Sequence, residues 1–120
     1  MKFLLSTHMD PAAWEALPEA ERAAMREDKG EFADEVAESG EMILAHELAD
    51  PSRSAVVRVR DGLAVVADGP YRPAAEFLSG YYLVDCDDRD RAIELAARIP
   101  EARVAGVEVR PVMHAAGQDL

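Results

Sequence analysis

The chain has 120 residues, 49% apolar and 31% charged, which fits one globular domain over residues 1–120 and excludes a disordered tail. Its net charge of −11 repels phosphate backbones and anionic membranes, so neither nucleic acid nor a membrane is expected as a partner. The charge is uneven: thirteen acids and three bases stand between Asp10 and Asp50, the pattern of a solvated helix face. Cys86 is the one cysteine, which excludes an internal disulfide and any CxxC pair and fits a reducing compartment. The start, MKFLL, is too short an apolar run for a signal peptide, and no stretch approaches the ~20 apolar residues of a membrane span. The expected location is the cytoplasm.

In chain order, Lys2 to Met9 reads as a strand with Phe3, Leu5 and Thr7 on one face and Leu4, Ser6 and His8 on the other. Asp10-Pro11 starts a helix, Asp10 as N-cap and Pro11 at the first position. Pro18 interrupts it, so a short turn with Trp14 and Leu17 precedes a longer helix from about Pro18 to Glu38. Ala20, Ala24, Phe32 and Val36 give this helix its apolar stripe, with a bend expected at Asp28-Lys29-Gly30 and a stop at Ser39-Gly40. Glu41 to Glu47 reads as a second strand. Ser54–Arg60 and Leu63–Ala67, joined by Asp61-Gly62, form a β-hairpin, because that two-residue turn suits positive φ. After Asp68-Gly69-Pro70, the strand formers Gly80 to Asp85 make another strand. Asp87 or Asp88 caps a helix to about Arg98, with Ala92, Leu95, Ala96 and Ile99 inward and Pro100 ending it. Val104 to Val112 is the last strand, and the tail after His114 carries no element.

Setting the hairpin aside leaves βαββαβ, a ferredoxin-like α+β unit with both helices on one face of an antiparallel sheet. The other face needs cover, and a second copy of the chain is the expected cover, as a homodimer.

From the hairpin onward the residues Asp68-Gly69-Pro70-Tyr71, Glu76, Leu78-Ser79-Gly80-Tyr81-Tyr82, Ala97-Arg98-Ile99-Pro100 and Val107-Glu108-Val109-Arg110-Pro111-Val112 stand in one order. Together with MKFLL, the Trp14 helix and Gly30-Glu31-Phe32, they make the chain resemble the YCII-related family, in particular its DGPF-domain branch. The resemblance covers nearly the whole chain. It implies a dimeric α+β barrel, two ferredoxin-like sheets face to face with helices outside. It implies little chemistry, because other families on this barrel are isomerases, monooxygenases or haem enzymes. Some DGPF-type relatives are linked to extracytoplasmic-function sigma factors, which points to a protein partner in transcription regulation. The chain departs from the branch pattern where Pro73 and Ala75 replace a glutamate and a lysine, Tyr71 a phenylalanine, and Ser79 a glycine.

The candidate site residues follow from these segments. Asp68 can act as a general base or cap its own turn, and Tyr71 can donate a hydrogen bond beside it. His8, close to Asp10 at the end of the first strand, is the histidine suited to acid–base work. Glu76, Tyr81 and Arg110 are candidate ligand-binding residues, each with a structural alternative: Glu76 as a turn cap, Tyr81 in packing, Arg110 in an ion pair with Glu108. His46-Glu47 has half of an HExxH zinc pattern, but the second histidine is missing, and three scattered histidines predict no metal. No phosphate loop or nucleotide fingerprint occurs, so no cofactor is expected. Two readings remain: a dimeric module binding a small molecule or a protein, and a cofactor-independent acid–base enzyme, isomerase or lyase, using Asp68 and His8.

Overall fold

The computed structural model describes residues 1–117. Strand β1 (Lys2–Met9) buries Phe3, Leu5 and Thr7 on the face its alternation predicts, and Ser6 on the other face is buried as well. Asp10 then turns the chain into α1 (Pro11–Ala16), its carboxylate accepting from the backbone N–H groups of Ala12 and Ala13 at 3.1 and 3.3 Å. These are the donors that a helix start leaves without intrahelical partners.

After Pro18, α2 (Glu19–Glu38) runs unbroken through Asp28-Lys29-Gly30, where a bend was expected. Its inward stripe also differs from the expected one. Met25, Phe32 and Val36 are buried, while Ala20 and Ala24 are exposed. The helical spacing that aligns Met25, Phe32 and Val36 also turns Arg22, Lys29 and Ala33 toward the body, and all three are half-buried. Two cations on an inward face disguise the stripe in the sequence. Gly40, with φ of +81°, takes the left-handed position just beyond the Ser39 cap.

Strand β2 (Met42–Glu47) leads to the hairpin of β3 (Ala55–Arg60) and β4 (Leu63–Asp68). Asp61 and Gly62 both have positive φ, 50° and 78°, so the strands meet through the turn the sequence predicts. Strand β5 (Phe77–Asp85) begins three residues before its expected start at Gly80. Asp88 caps α3 (Arg89–Arg98) by accepting from Arg91 N–H at 2.9 Å. Residues 100–103 form a 3-10 turn, and β6 (Gly106–Pro111) ends the regular structure, shorter than expected. No element follows it through Gly117; of the tail after His114, residues 118–120 lie outside the described residues.

The four longer-range strands pair antiparallel in the order β2-β5-β1-β6, the ferredoxin-like arrangement. Both long helices pack on one face. The core joins Phe3, Leu5 and Val84 from the sheet to Phe32 and Val36 from α2 and Ala92, Leu95 and Ile99 from α3. Phe32 meets Tyr82 edge-on at 5.5 Å, an arrangement that aromatic rings favour. The opposite face carries Leu4, Leu44, Leu83 and Tyr81 beside His8, Glu108 and Arg110, with no helix over it.

The hairpin is a separate two-stranded sheet. It stands away from the body, and the radius of gyration, 16.3 Å, exceeds the ~14 Å of a compact chain this long. Val57, Val59, Leu63, Val65 and Val66 are each more than half exposed.

Candidate functional site

A bulge shapes the end of the sheet where polar groups collect. In β5, Ser79 is an extra residue between the pairs Thr7–Gly80 and His8–Leu78. Its hydroxyl lies 3.0 Å from the Thr7 hydroxyl and donates to the Thr7 carbonyl at 3.2 Å. A Cβ on Gly80 would sit 2.6 Å from the His46 carbonyl oxygen, so only glycine lets β2 approach β5 here. The missing side chain leaves a hollow between this end of the sheet and α2.

That hollow is a cleft of about 440 Å³, within the usual size range of small-molecule sites. Gly30, Ala33 and Ala45 give it a wall without long side chains, Tyr82 gives it aromatic surface, and Thr7, Arg26, Lys29 and Glu47 supply polar side chains, while His46 and Tyr81 border it from strand positions that alternate to the open face of the sheet. His46 Nδ1 lies 2.8 Å from the Tyr81 hydroxyl, with the two rings edge-on. Lys29 reaches into the cleft from the inward face of α2, with Nζ 2.9 Å from Glu47 and 3.2 Å from Glu101. Burial pulls the Lys29 ammonium down, but its hydrogen bond to Glu47 and the charge of Glu101 outweigh this and hold its pKa above the ordinary lysine value. Glu101 is buried, and its second oxygen, Oε2, has no hydrogen-bond partner. Burial also raises the Tyr82 phenol, so at neutral pH it is a hydrogen-bond donor and not a phenolate.

A second hollow, about 500 Å³, lies where the hairpin returns to the sheet. It brings His8, Tyr71 and Glu76 together with Leu48, Phe77 and Leu78. Tyr71 and Glu76 stand on the exposed loop before β5, and Arg58 lies over the Tyr71 ring at 5.4 Å. Asp68 is not in its lining. It ends β4 opposite Ala55, exposed, and the following turn is closed by backbone, Gly69 N–H donating to the Ser54 carbonyl at 2.7 Å. Arg110 pairs with Glu108 at 2.7 Å on the open face of the sheet, beside a smaller hollow that also touches His8. Tyr81 lines the first cleft, and His8 the other two.

Thr7, Lys29 and Tyr82 were not among the candidate site residues of the sequence, and His46 was weighed there only for an incomplete zinc pattern. One signal was available for Lys29: it sits four residues after Met25 and three before Phe32, a lysine within a helix's buried stripe. Among the described residues no group of three or more His, Cys, Asp or Glu side chains could hold a metal, and no helix is long and apolar enough to cross a membrane. The Cys86 thiol is buried, which raises its pKa and keeps it protonated and unreactive.

The family profile of the YCII-related domain matches residues 1–116. The chain belongs to the YCII-related family. An uncharacterized protein of Rhizobium meliloti (strain 1021) is 32% identical over 77 residues, which are 62% of this chain and 62% of that protein. The matched stretch thus spans about three-fifths of the curated relative. For this YCII-related chain, family membership accounts for the antiparallel α+β architecture and assigns no ligand.

Proposed function

We propose that this YCII-related protein binds a small molecule in the cleft between α2 and the β2–β5 end of the sheet, and that it works as a homodimer. The observation that carries the reading is the placement of Lys29. A long cationic side chain is held half-buried in the wall of a cleft, with its ammonium fixed by a buried carboxylate and its neighbours small or aromatic. Binding sites combine apolar surface with a few positioned polar groups in this way. The hollow around His8 is comparable in size, but Tyr71 and Glu76 come to it from an exposed loop, so its polar groups are less preorganised. The dimer finds support in the sheet face without helices and in the exposed valines of the hairpin, more apolar surface than soluble monomers usually leave open.

The test is a fragment screen followed by amide NMR. Hits are expected to move the resonances of Thr7, Ala45 and Tyr82, and Ala33→Trp, which fills the cleft, is expected to abolish them without lowering the melting temperature. Hits that survive Ala33→Trp or map elsewhere refute the cleft. Sedimentation equilibrium at micromolar concentration is expected to give twice the chain mass, and a clean monomer refutes the dimer.

Acid–base catalysis is the second reading, favoured by the one hollow that gathers His8, Tyr71 and Glu76. With Asp68 as its base, Asp68→Asn would abolish turnover of small carbonyl or lactone compounds and leave the fold intact. Turnover that survives Asp68→Asn but not His8→Gln would move the base to the hollow itself.

A further inference from the structure

The two carboxylates on Lys29 are not equivalent. Glu101 is 5% exposed and fixed on the 3-10 turn of residues 100–103. Glu47 ends β2 with its side chain 78% exposed, and nothing but the Lys29 ion pair holds that carboxylate among the described residues. Resting on the cleft reading above, we propose that the ligand is a small monocarboxylate with an apolar body, and that its carboxylate displaces Glu47 from Lys29.

Three observations carry the exchange. The first is its low cost. An ion pair whose carboxylate is as exposed as that of Glu47 contributes little, and an incoming carboxylate replaces it charge for charge. The second is the sign of the field. Once Glu47 swings out, Lys29 and the fixed Glu101 cancel, and the nearest remaining charge on the lining is Arg26, whose ion pair with Glu19 is itself exposed. An anion is therefore favoured over an amine, and a single charge over two, because a second carboxylate would meet Glu101. The third is shape. Gly30, Ala33 and Ala45 leave room for a body rather than for more polar contacts, and Tyr82 flanks it with aromatic surface. An aryl or branched aliphatic acid fits that surface; a sugar or a phosphate ester does not.

The experiment compares phenylacetate with its neutral isostere phenylacetamide by calorimetry and amide NMR on the full chain. Phenylacetate is expected to bind at the cleft a few-fold more tightly than the amide, because its carboxylate exchanges for that of Glu47 and the gain is the difference between two ion pairs. Glu47→Gln removes the internal competitor and is expected to tighten phenylacetate about two- to fivefold while leaving the amide unchanged. Lys29→Arg keeps the preference for the acid, and Lys29→Met removes it. Lys29→Met leaves Glu101 buried without a cation, so if that variant fails to fold, Glu47→Gln decides alone. Equal affinity for acid and amide overturns the ligand class while leaving the cleft reading intact. Weaker phenylacetate binding by Glu47→Gln overturns the exchange. Fragments that bind the cleft while phenylacetate and benzoate do not also overturn it, whereas fragments that avoid the cleft remove the reading beneath it.

Discussion

The four-stranded sheet and the hairpin are built from similar residues and reach opposite outcomes. Strands β1 and β5 carry apolar residues on both faces, and one face of each disappears into a core where Phe3, Leu5 and Val84 have no exposure. Strands β3 and β4 are at least as apolar, yet Val57, Val59 and Val66, which share one face, all remain exposed. Local pattern makes both into strands. What separates them is whether the topology brings a second layer against that pattern: α2 and α3 cover the sheet, and nothing among the described residues covers the hairpin. A lone two-stranded hairpin is marginal in water, so this arm is the part of the molecule that the proposed dimer would help most.

The comparison can be broken at several strengths. Phe32→Ala removes a ring buried between α2 and the sheet along with its edge contact to Tyr82, and is expected to cost ~3–5 kcal/mol in chemical denaturation. Gly80→Ala drives a methyl group against the His46 carbonyl and is expected to cost ~1–3 kcal/mol, with β2 losing amide protection before β1. An unchanged melt for Gly80→Ala would mean that β2 and β5 lie further apart than described.

A smaller effect tests how the sheet edge is tied to α3. Arg91 grips Glu41 in a two-pronged ion pair, both contacts at 2.9 Å, and the Arg91 hydrogen bond holds the Glu41 carboxyl below its ordinary value. A carboxyl whose pKa is lowered by folding adds stability above its unfolded value of about 4.5, and that stability is lost as the pH falls through the lower folded value. Glu41→Gln is therefore expected to cost at most ~1 kcal/mol at neutral pH and to flatten the stability profile below pH 4.5. A wild-type profile with the same acid slope as the variant would remove the contribution assigned to this pair.

The smallest change belongs to the hairpin. Val66→Ser on an uncovered strand is expected to alter the stability of a monomer by less than ~0.5 kcal/mol. In the proposed dimer the same substitution weakens association, so the sedimentation profile shifts toward monomer at low concentration. A variant that destabilises the monomer by as much as Phe32→Ala would show that the hairpin packs on its own chain after all.

Much of the fold was legible because its signals are local. Asp61-Gly62 specifies the turn, Asp88 and Pro100 bracket α3, and the 92, 95, 96, 99 spacing marks its buried face. The α2 stripe was misread because Arg22 and Lys29 look like interruptions in a list of apolar residues, whereas in three dimensions they continue the inward row. The extra residues at the start of β5 were hidden because Ser79 is a bulge, which breaks the alternation used to find strands. The cleft was the least legible part. Thr7, Lys29, His46 and Tyr82 come from four segments, and only the strand order makes them neighbours. Of the residues the sequence did single out, His8, Tyr71 and Glu76 share a hollow, while Asp68 and Arg110 lie apart from it.

The strand order has a consequence for the birth of the molecule on the ribosome. Strand β1 is central, so Lys2 must find Asp85 and Phe3 must find Pro111, partners that emerge late in synthesis. The hairpin needs only its own residues and can close as soon as it leaves the exit tunnel. The first strand therefore waits unpaired until β5 and β6 have been made, whereas the hairpin closes from its own residues. Pairings this distant in sequence are slow to make, so the sheet zips together only after β6 has been made.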